Sequence, residues 1–338
     1  MKTVLFKAPE QAVLIEREIP KPGKDEVLLK MERIGVCGTD IQVFMGRNRY
    51  MTFPLVPFHE GLAFVEEAGE GAAEYQKGDR VCVNPIISCG KCYSCTHGHP
   101  NACIEFNCLG VQSDGLGAEY FCIHKKYLYR IPKDADSDVA VLSEPFAVGI
   151  HAAKRGDVAG KRVMVLGAGT IGNFVAQAAG LLGADTVCVC DISADKVALA
   201  EKSGIPVCIN TSGITLAQAA EKAFGSFPDV VIDCVGAPAL FGQILDMAGK
   251  TTTLVIVGNY STPTEVDLAK IQRNELNVRG SITYTPEDFE TAVGFITSGK
   301  VYTEGFITGR YRLEDVQAMM EQAAKFRGVN MKTIMDYA

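Results

Sequence analysis

The sequence predicts an α/β protein that combines a β-rich domain with a doubly wound parallel sheet. In residues 1 to about 140, short strand-like runs such as GLAFVEEAG and EYFCIH are separated by turn segments such as KPGKD and QKGD. This pattern is typical of a domain built from short strands. From about Gly160, apolar strands such as KRVMVLG and TVCVCD alternate with helical segments. Such alternation predicts a parallel sheet that is covered on both faces.

We expect the β-rich domain to be discontinuous in the sequence. It comprises residues 1–150 and 285–338, and the parallel-sheet domain comprises residues 151–284. The segments EDFETAVGFITSG and LEDVQAMMEQAAK follow Ile282, and their apolar spacing predicts two helices that complete the first domain. A chain of 338 residues is long enough for two separate cores.

The composition argues against several classes of function. The formal net charge is −7, which disfavours a nucleic-acid-binding protein, because affinity for phosphate backbones comes from clustered Lys and Arg. No run approaches the ~18 uninterrupted apolar residues of a membrane span, so no membrane association is expected. The segment MKTVLFKAPEQAVLIE has no signal-like apolar stretch, which predicts a cytoplasmic protein. Its 12 cysteines are then expected to be reduced, and a tight cluster among them indicates a metal site.

A G-x-G-x-x-G motif follows the strand KRVMVLG and opens the next helix. Its glycines let the backbone approach a pyrophosphate, and the helix N-terminus offers free N–H groups to that anion. An aspartate ends the next strand; it can accept hydrogen bonds from ribose hydroxyls and would repel a 2′-phosphate, so NAD is predicted rather than NADP. The alternative is a glycine-rich turn without a ligand. The predicted cofactor-binding residues of this region are Gly167, Gly169, Thr170, Ile171, Gly172 and Asp191.

Four cysteines in residues 89–103 form a C-x2-C-x2-C-x7-C cluster. Thiolates at this spacing can surround one tetrahedral Zn²⁺ and leave no position for a substrate, so the site is predicted to be structural. An iron–sulfur cluster and a redox dithiol are poorer alternatives for this spacing. The predicted ligands are Cys89, Cys92, Cys95 and Cys103.

Three other segments offer ligands for a working metal. GVCGTD supplies Cys37, FHEG supplies His59 and SEPFAVG supplies Glu144. One thiolate, one imidazole and one carboxylate leave the fourth zinc position open, as catalysis requires. Glu60, beside His59, could bind or release the metal as water exchanges. Taken singly, each of these residues is as well explained by packing in a core.

Together these motifs resemble the zinc-dependent medium-chain dehydrogenases, the family of alcohol, sorbitol and threonine dehydrogenases. The segments GVCGTD, HEG, the cysteine cluster, EP-x-x-VG and GAGTIG occur in the order of that family and span nearly the whole chain. The setting of Glu144 resembles the polyol and diol branch. The resemblance implies a GroES-like catalytic domain and a Rossmann NAD-binding domain, with two zinc ions per chain. It also implies a homodimer or a homotetramer.

The resemblance implies a role for several further residues. Thr39 would carry the proton of the alcohol away, and Asp40 would orient His59, although Asp40 could equally be a turn cap. The nicotinamide side of the cofactor would be bordered by Val235, Val257 and Gly258. The implied reaction transfers a hydride between NAD and a secondary alcohol of a polyol, sugar acid or sugar-alcohol phosphate. The alternatives are a vicinal diol such as 2,3-butanediol, L-threonine, or a non-catalytic zinc-stabilised protein that senses NAD.

The sequence departs from the pattern of the family at three positions. Phe58 precedes His59 where the family usually has Gly, and Gln42 takes the place of a relay His. Thr283 takes the place of an Arg with which sorbitol dehydrogenases grip polyol hydroxyls, which weakens the assignment to sorbitol itself. In MGRNRY, residues 45–50, two arginines could meet a carboxylate or a phosphate, or could be solvated loop charges.

Overall fold

A computed structural model describes residues 1–48, 50–326 and 331–337. The chain divides into two compact units. The first unit comprises Met1–Glu144, Thr285–Lys300 and Glu304–Ala338. The second unit comprises Pro145–Tyr284 and Val301–Thr303.

The N-terminal part of the first unit consists mainly of short strands. In chain order the strands are β1 (Lys2–Ala8), β2 (Gln11–Glu16), β3 (Glu26–Val36), β4 (Glu60–Ala68), β5 (Arg80–Val83), β6 (Ile86–Ile87), β7 (Asn107–Cys108), β8 (Tyr120–His124) and β9 (Leu128–Ile131). The helices are α1 (Gly38–Phe44), α2 (Tyr93–Thr96) and α3 (Ser137–Ala140), and α4 (Ser143–Gly156) follows them.

Strands and helices alternate through the second unit. Its strands are β10 (Arg162–Leu166), β11 (Thr186–Asp191), β12 (Val207–Asn210), β13 (Val230–Asp233), β14 (Thr253–Ile256) and β15 (Asn277–Gly280). Its helices are α5 (Thr170–Leu181), α6 (Ala194–Lys202), α7 (Leu216–Phe224), α8 (Pro238–Met247) and α9 (Leu268–Arg273). The chain then re-enters the first unit with α10 (Pro286–Thr297), β16 (Ile307–Arg312), α11 (Val316–Lys325) and β17 (Lys332–Asp336).

One mixed sheet organises the first unit. Its strand order is β16-β17-β3-β4-β5-β9, and β8 also pairs with β3. The long strand β3 therefore has β17, β4 and β8 as partners, all antiparallel to it. The segment GVCGTD lies at the end of β3, and FHE lies at the start of β4. Because β3 and β4 are antiparallel and Gly35 opposes Glu60, their pairing brings these two distant motifs together.

The second unit is built on a six-stranded parallel sheet with the order β12-β11-β10-β13-β14-β15. The strand order reverses between β10 and β13, which places a crevice at the carboxyl ends of those two strands. The buried run VVID of β13 has the apolar composition of a strand covered on both faces. The α/β class and the parallel sheet that the sequence predicts are confirmed.

No helix in the described part of the chain has both the length and the apolar character needed to cross a membrane.

The first residue of β5 is a buried arginine that bonds several neighbouring segments of the first unit. Arg80 is 5% exposed, and its guanidinium bonds both carboxylate oxygens of Glu32 at 2.9 and 3.0 Å. It also donates to the carbonyl oxygens of Lys133 and Ala135 and to the Ser137 hydroxyl. Such a bidentate pair stabilises chiefly because loss of one partner leaves the other charge buried and unpaired.

We predict that Arg80→Ala lowers the free energy of unfolding by about 3 kcal/mol, because Glu32 loses its buried counter-charge. The matched control is Lys77→Ala, since Lys77 also pairs with a glutamate, Glu66, but its side chain is 72% exposed. Exposed pairs of this kind contribute little. Urea denaturation of the three proteins measures the difference, and equal midpoints for both variants would contradict the account.

Candidate functional site

Cys37 lies where β3 ends and α1 begins. Its φ and ψ angles are −88° and 157°, so the backbone is still extended at this residue. The Asp40 Oδ2 atom accepts the Cys37 N–H at 2.8 Å, which fixes the start of the helix. Thr39 is half-buried in the first turn of α1, two residues beyond the Cys37 thiol.

His59 immediately precedes β4, and the residue before it has an unusual backbone. Phe58 has a φ of +75°, in the left-handed region that favours glycine. Its ring is fully buried and packs edge-on against Phe6, with 5.8 Å between ring centroids. Packing therefore holds Phe58 in a conformation that costs of the order of 1–3 kcal/mol for a non-glycine residue. The chain direction before His59 is thus one that a glycine would adopt without strain.

Asp40 caps the start of α1 and also lies beside the imidazole of His59. The His59 Nδ1 atom lies 3.3 Å from Asp40 Oδ1, within ion-pair distance but outside hydrogen-bond geometry. A proton on Nδ1 facing this carboxylate leaves the Nε2 lone pair free for a metal. Burial lowers the pKa of His59, but the Asp40 carboxylate and the neighbouring Cys37 and Cys108 thiols together raise it more, so the pKa lies well above its ordinary value of 6.5.

Cys37, His59 and Glu60 form one compact group. A ligand atom of each residue lies within 4.8 Å of a ligand atom of the other two. Glu60 is fully buried, and both of its carboxylate oxygens accept hydrogen bonds from Lys332 Nζ at 2.6 and 2.8 Å. Glu144 is 8% exposed and stands outside this group, although its charge acts on Lys332.

The residues around Cys37 suit a zinc ion. A thiolate, an imidazole and a carboxylate are ligand types that Zn²⁺ accepts. Asp40, Glu60 and Glu144 are all at most 8% exposed, and Glu60 forms an ion pair with Lys332. Buried charges of this kind are tolerated when they are paired or when they coordinate a metal.

The four cysteines of residues 89–103 form a second group in the first unit. Their ligand atoms all lie within 4.8 Å of one another. The sulfur of Cys92 lies 3.4 Å from that of Cys95 and 3.9 Å from that of Cys103, and the Cys89 and Cys95 sulfurs are 4.0 Å apart. Four sulfurs at ~2.3 Å from a tetrahedral zinc are about 3.8 Å apart, so the group fits a closed zinc site.

Backbone N–H groups around the cysteine cluster favour thiolates. The N–H groups of Cys89 and Glu105 each donate to the Cys103 sulfur at 3.3 Å. The N–H groups of Cys95 and Ile104 lower the pKa of the Cys92 thiol to about 6. Burial raises the pKa of Cys95 to about 12, which disfavours a thiolate there without a bound cation.

The glycine motif of the second unit forms a tight turn between β10 and α5. Gly167 has a φ of +91°, and a Cβ atom at Gly172 would lie 1.7 Å from the Gly167 carbonyl oxygen. Gly169 caps α5 without a side chain, and Thr170 and Ile171 begin the helix. The first N–H groups of a helix have no intrahelical partner, so the turn leaves donors for an anion.

Asp191 ends β11 beside this turn. Its Oδ2 atom accepts the Ala168 N–H at 2.7 Å, and its Oδ1 atom accepts the Ser193 N–H at 2.8 Å. A carboxylate offers about four lone-pair sites, so two ribose hydroxyls can still donate to it. The carboxylate therefore supports the glycine turn and remains able to bind a ribose.

The loops after β13 and β14 approach each other closely. A Cβ atom at Gly258 would lie 2.3 Å from the Gly236 nitrogen, and Val235 is 48% exposed beside them. The N–H groups of Val257 and Gly258 both donate to the Asp233 carbonyl oxygen at 2.9 Å. The three predicted residues Val235, Val257 and Gly258 are thus brought to the carboxyl ends of adjacent strands.

Sequence reasoning missed two residues that support these groups. Lys332 reaches Glu60 from β17, 272 positions later in the sequence, so no local motif could have identified it. Asp233 is 2% exposed, and its carboxylate accepts the N–H groups of Val235 and Gly236 and the Tyr260 hydroxyl. The buried acid at the end of the apolar run DVVID was a visible signal for the second of them.

The structure also places other residues that the sequence analysis named. Thr283 has a φ of +44°, Gln42 is half-buried in α1, and Arg47 is exposed. Arg49 lies outside the described residues.

Comparison with known proteins identifies relatives along the whole chain. The family model described as Alcohol dehydrogenase GroES-like domain matches residues 23–133, and the model described as Zinc-binding dehydrogenase matches residues 170–298. L-galactonate-5-dehydrogenase from Escherichia coli is 30% identical over 313 residues, which cover 92% of each chain.

Two solved structures superpose on nearly the whole chain. The short chain alcohol dehydrogenase RspB from Escherichia coli CFT073, in complex with NADH, is 30% identical with a TM-score of 0.92, covering 100% of this chain and 99% of its own. A protein from Sinorhizobium meliloti 1021, described as a zinc-binding dehydrogenase and bound to NADP, is also 30% identical with a TM-score of 0.92 and covers 99% of both chains.

We predict that Gly172→Ala lowers NADH affinity about a hundredfold, because the turn must move away and each lost N–H contact to a charged group costs about 1.5–3 kcal/mol. Gly180→Ala is the matched control, since Gly180 lies in the same helix and a Cβ atom there meets open space. Fluorescence titration with NADH measures both. Equal affinity in the two variants would exclude the turn as the binding site.

Proposed function

Because this chain belongs to the zinc-dependent medium-chain dehydrogenase family, we propose that it transfers a hydride between NAD and a secondary alcohol of a polyol, sugar acid or sugar-alcohol phosphate. The observation that carries the proposal is the group of Cys37, His59 and Glu60, in a chain that also has a glycine turn suited to a dinucleotide. A zinc ion supplies a Lewis acid that lowers the pKa of a hydroxyl group, and NAD supplies the hydride acceptor.

In this proposal, Cys37 and His59 hold the zinc ion, and a carboxylate from Glu144 or Glu60 completes the protein ligands. Asp40, 3.3 Å from His59 Nδ1, would keep a proton on that nitrogen and so leave the Nε2 lone pair for the ion. Thr39, two residues after Cys37, would accept the hydroxyl proton of the substrate as it gives its own hydroxyl proton to an acceptor on the way to solvent.

The cysteine cluster has a structural role in the proposal. Cys89, Cys92, Cys95 and Cys103 bind a second zinc ion with all four positions filled, so that ion holds the loop and takes no part in the reaction. The proposal therefore comprises two zinc ions per chain, one for each group. The proposal also includes a homodimer or homotetramer, on the resemblance to the family.

The substrate class is inferred from relatives and from the residues present. The relative L-galactonate-5-dehydrogenase is named for a sugar acid, and the exposed cation of Arg47 could meet such a carboxylate. Thr283 offers no charge where sorbitol dehydrogenases carry Arg, so sorbitol itself is less favoured. A screen of NAD reduction against aldonates, polyols, sugar-alcohol phosphates, butanediols and threonine, with and without a chelator, tests the class. Absence of turnover in every arm would favour an NAD-sensing protein.

The metal ligands are tested on the best substrate of that screen. We predict that His59→Ala lowers turnover about a thousandfold or more, because the Lewis acid contributes several kcal/mol to the barrier. NADH affinity should remain, since the glycine turn belongs to the second unit. His97→Ala is the control, because His97 is an exposed imidazole in the cysteine loop. Near-normal turnover of a metal-free His59→Ala protein would contradict the mechanism.

The choice of NAD is tested at Asp191. We predict that Asp191→Asn lowers the kcat/KM ratio of NAD over NADP about tenfold, because the charge that binds ribose hydroxyls and repels a 2′-phosphate is removed. Asp195→Asn is the matched control, since Asp195 is an exposed aspartate on α6. Steady-state kinetics with both cofactors measures the ratio. A wild-type preference for NADP would refute the cofactor assignment.

A further inference from the structure

The carboxylate of Glu60 lies between two competing cations. On one side it is within 4.8 Å of the ligand atoms of Cys37 and His59, where the proposed zinc binds. On the other side Lys332 Nζ bonds both of its oxygens, at 2.6 and 2.8 Å. Lys332 is 4% exposed and Glu60 is fully buried, so water can replace neither partner.

Strand register explains why this contact forms. Gly35 on β3 opposes Glu60 on β4 and Ile334 on β17. Lys332 precedes Ile334 by two positions, and alternate residues of a strand lie on the same face. Lys332 and Glu60 therefore project from one face of the sheet on either side of β3.

The absence of a side chain at Gly35 makes room for the carboxylate. A Cβ atom at Gly35 would lie 2.0 Å from Glu60 Oε2. Lys332 Nζ also lies 3.4 Å from the Val36 carbonyl oxygen, which holds the ammonium group over the same strand. The sheet thus provides a dedicated place in which Glu60 rests against Lys332.

We propose that Lys332 is a positioning residue that withholds Glu60 from the metal and so keeps a coordination position open for the substrate. This inference rests on the proposed function, because it requires a metal at Cys37 and His59. A buried carboxylate without a counter-charge is strongly destabilised. If Lys332 loses its charge, the nearest cation for Glu60 is the metal, and a coordination position otherwise open to the substrate is filled by protein.

The test is Lys332→Met, which removes the charge and keeps an apolar side chain of similar length. We expect metal transfer from this variant to a chromophoric chelator to be about tenfold slower than from the wild type, because an added protein ligand changes metal affinity by this order. The visible spectrum of the Co²⁺-substituted protein should change with the new ligand. The chelator also removes metal from the cysteine cluster, so release from this site is identified as the kinetic phase that is absent in the Cys37→Ser variant.

The double variant Lys332→Met/Glu60→Gln tests whether the effect passes through Glu60. It has no buried charge at either position, and its release rate and Co²⁺ spectrum should return to those of the wild type. The control Lys332→Arg keeps the cation and should leave both readouts unchanged.

An unchanged release rate and Co²⁺ spectrum in Lys332→Met would overturn the inference. A tenfold or greater loss of metal affinity in the double variant would also overturn it, because Glu60 would then be a resting ligand. Should Lys332→Met not fold, Lys332→Gln takes its place, with the same expected changes in release rate and Co²⁺ spectrum. If no metal phase depends on Cys37, the proposed function itself fails, which is a distinct result.

Discussion

The first unit depends on the neutralisation of buried negative charge beside β3 and β4. Asp40, Glu60 and Glu144 are all at most 8% exposed, the Cys37 thiol beside them is partly exposed, and Lys332 pairs with Glu60. Charges in such surroundings are tolerated only when they are paired or when they coordinate a metal. A divalent cation at Cys37 and His59 satisfies this requirement, and the same charge supplies the Lewis acidity that the proposed reaction needs.

The second unit contains a group of backbone N–H donors that favours a bound anion. The turn between β10 and α5 brings backbone N–H groups together, and the 1.7 Å clash of a Cβ atom at Gly172 shows that no side chain can shield them. Such a partial positive charge needs an anion, which the pyrophosphate of a dinucleotide provides. Asp191 supports the turn, and in the proposed function its carboxylate favours a free ribose over a phosphorylated one.

Local motifs made most of this organisation predictable from the sequence. The apolar strands and the glycine turn set the parallel sheet, and the cysteine spacing alone predicted a four-sulfur group. The contact between Lys332 and Glu60 could not be predicted, because it depends on the register of β17 against β3. The backbone at Phe58 was also unpredictable, since the burial of its ring, rather than a glycine, maintains the left-handed conformation.

The central claim is that one metal ion bonds Cys37 and His59 and leaves a position for substrate. Anomalous diffraction at the zinc edge, from crystals of the zinc-loaded protein, tests it most directly. The account predicts two peaks per chain, one at ~2.3 Å from the four sulfurs of the cysteine cluster and one at bonding distance from Cys37 Sγ and His59 Nε2. A single peak in the cysteine cluster, or a peak at Cys37 with four protein ligands including Glu60, would contradict it.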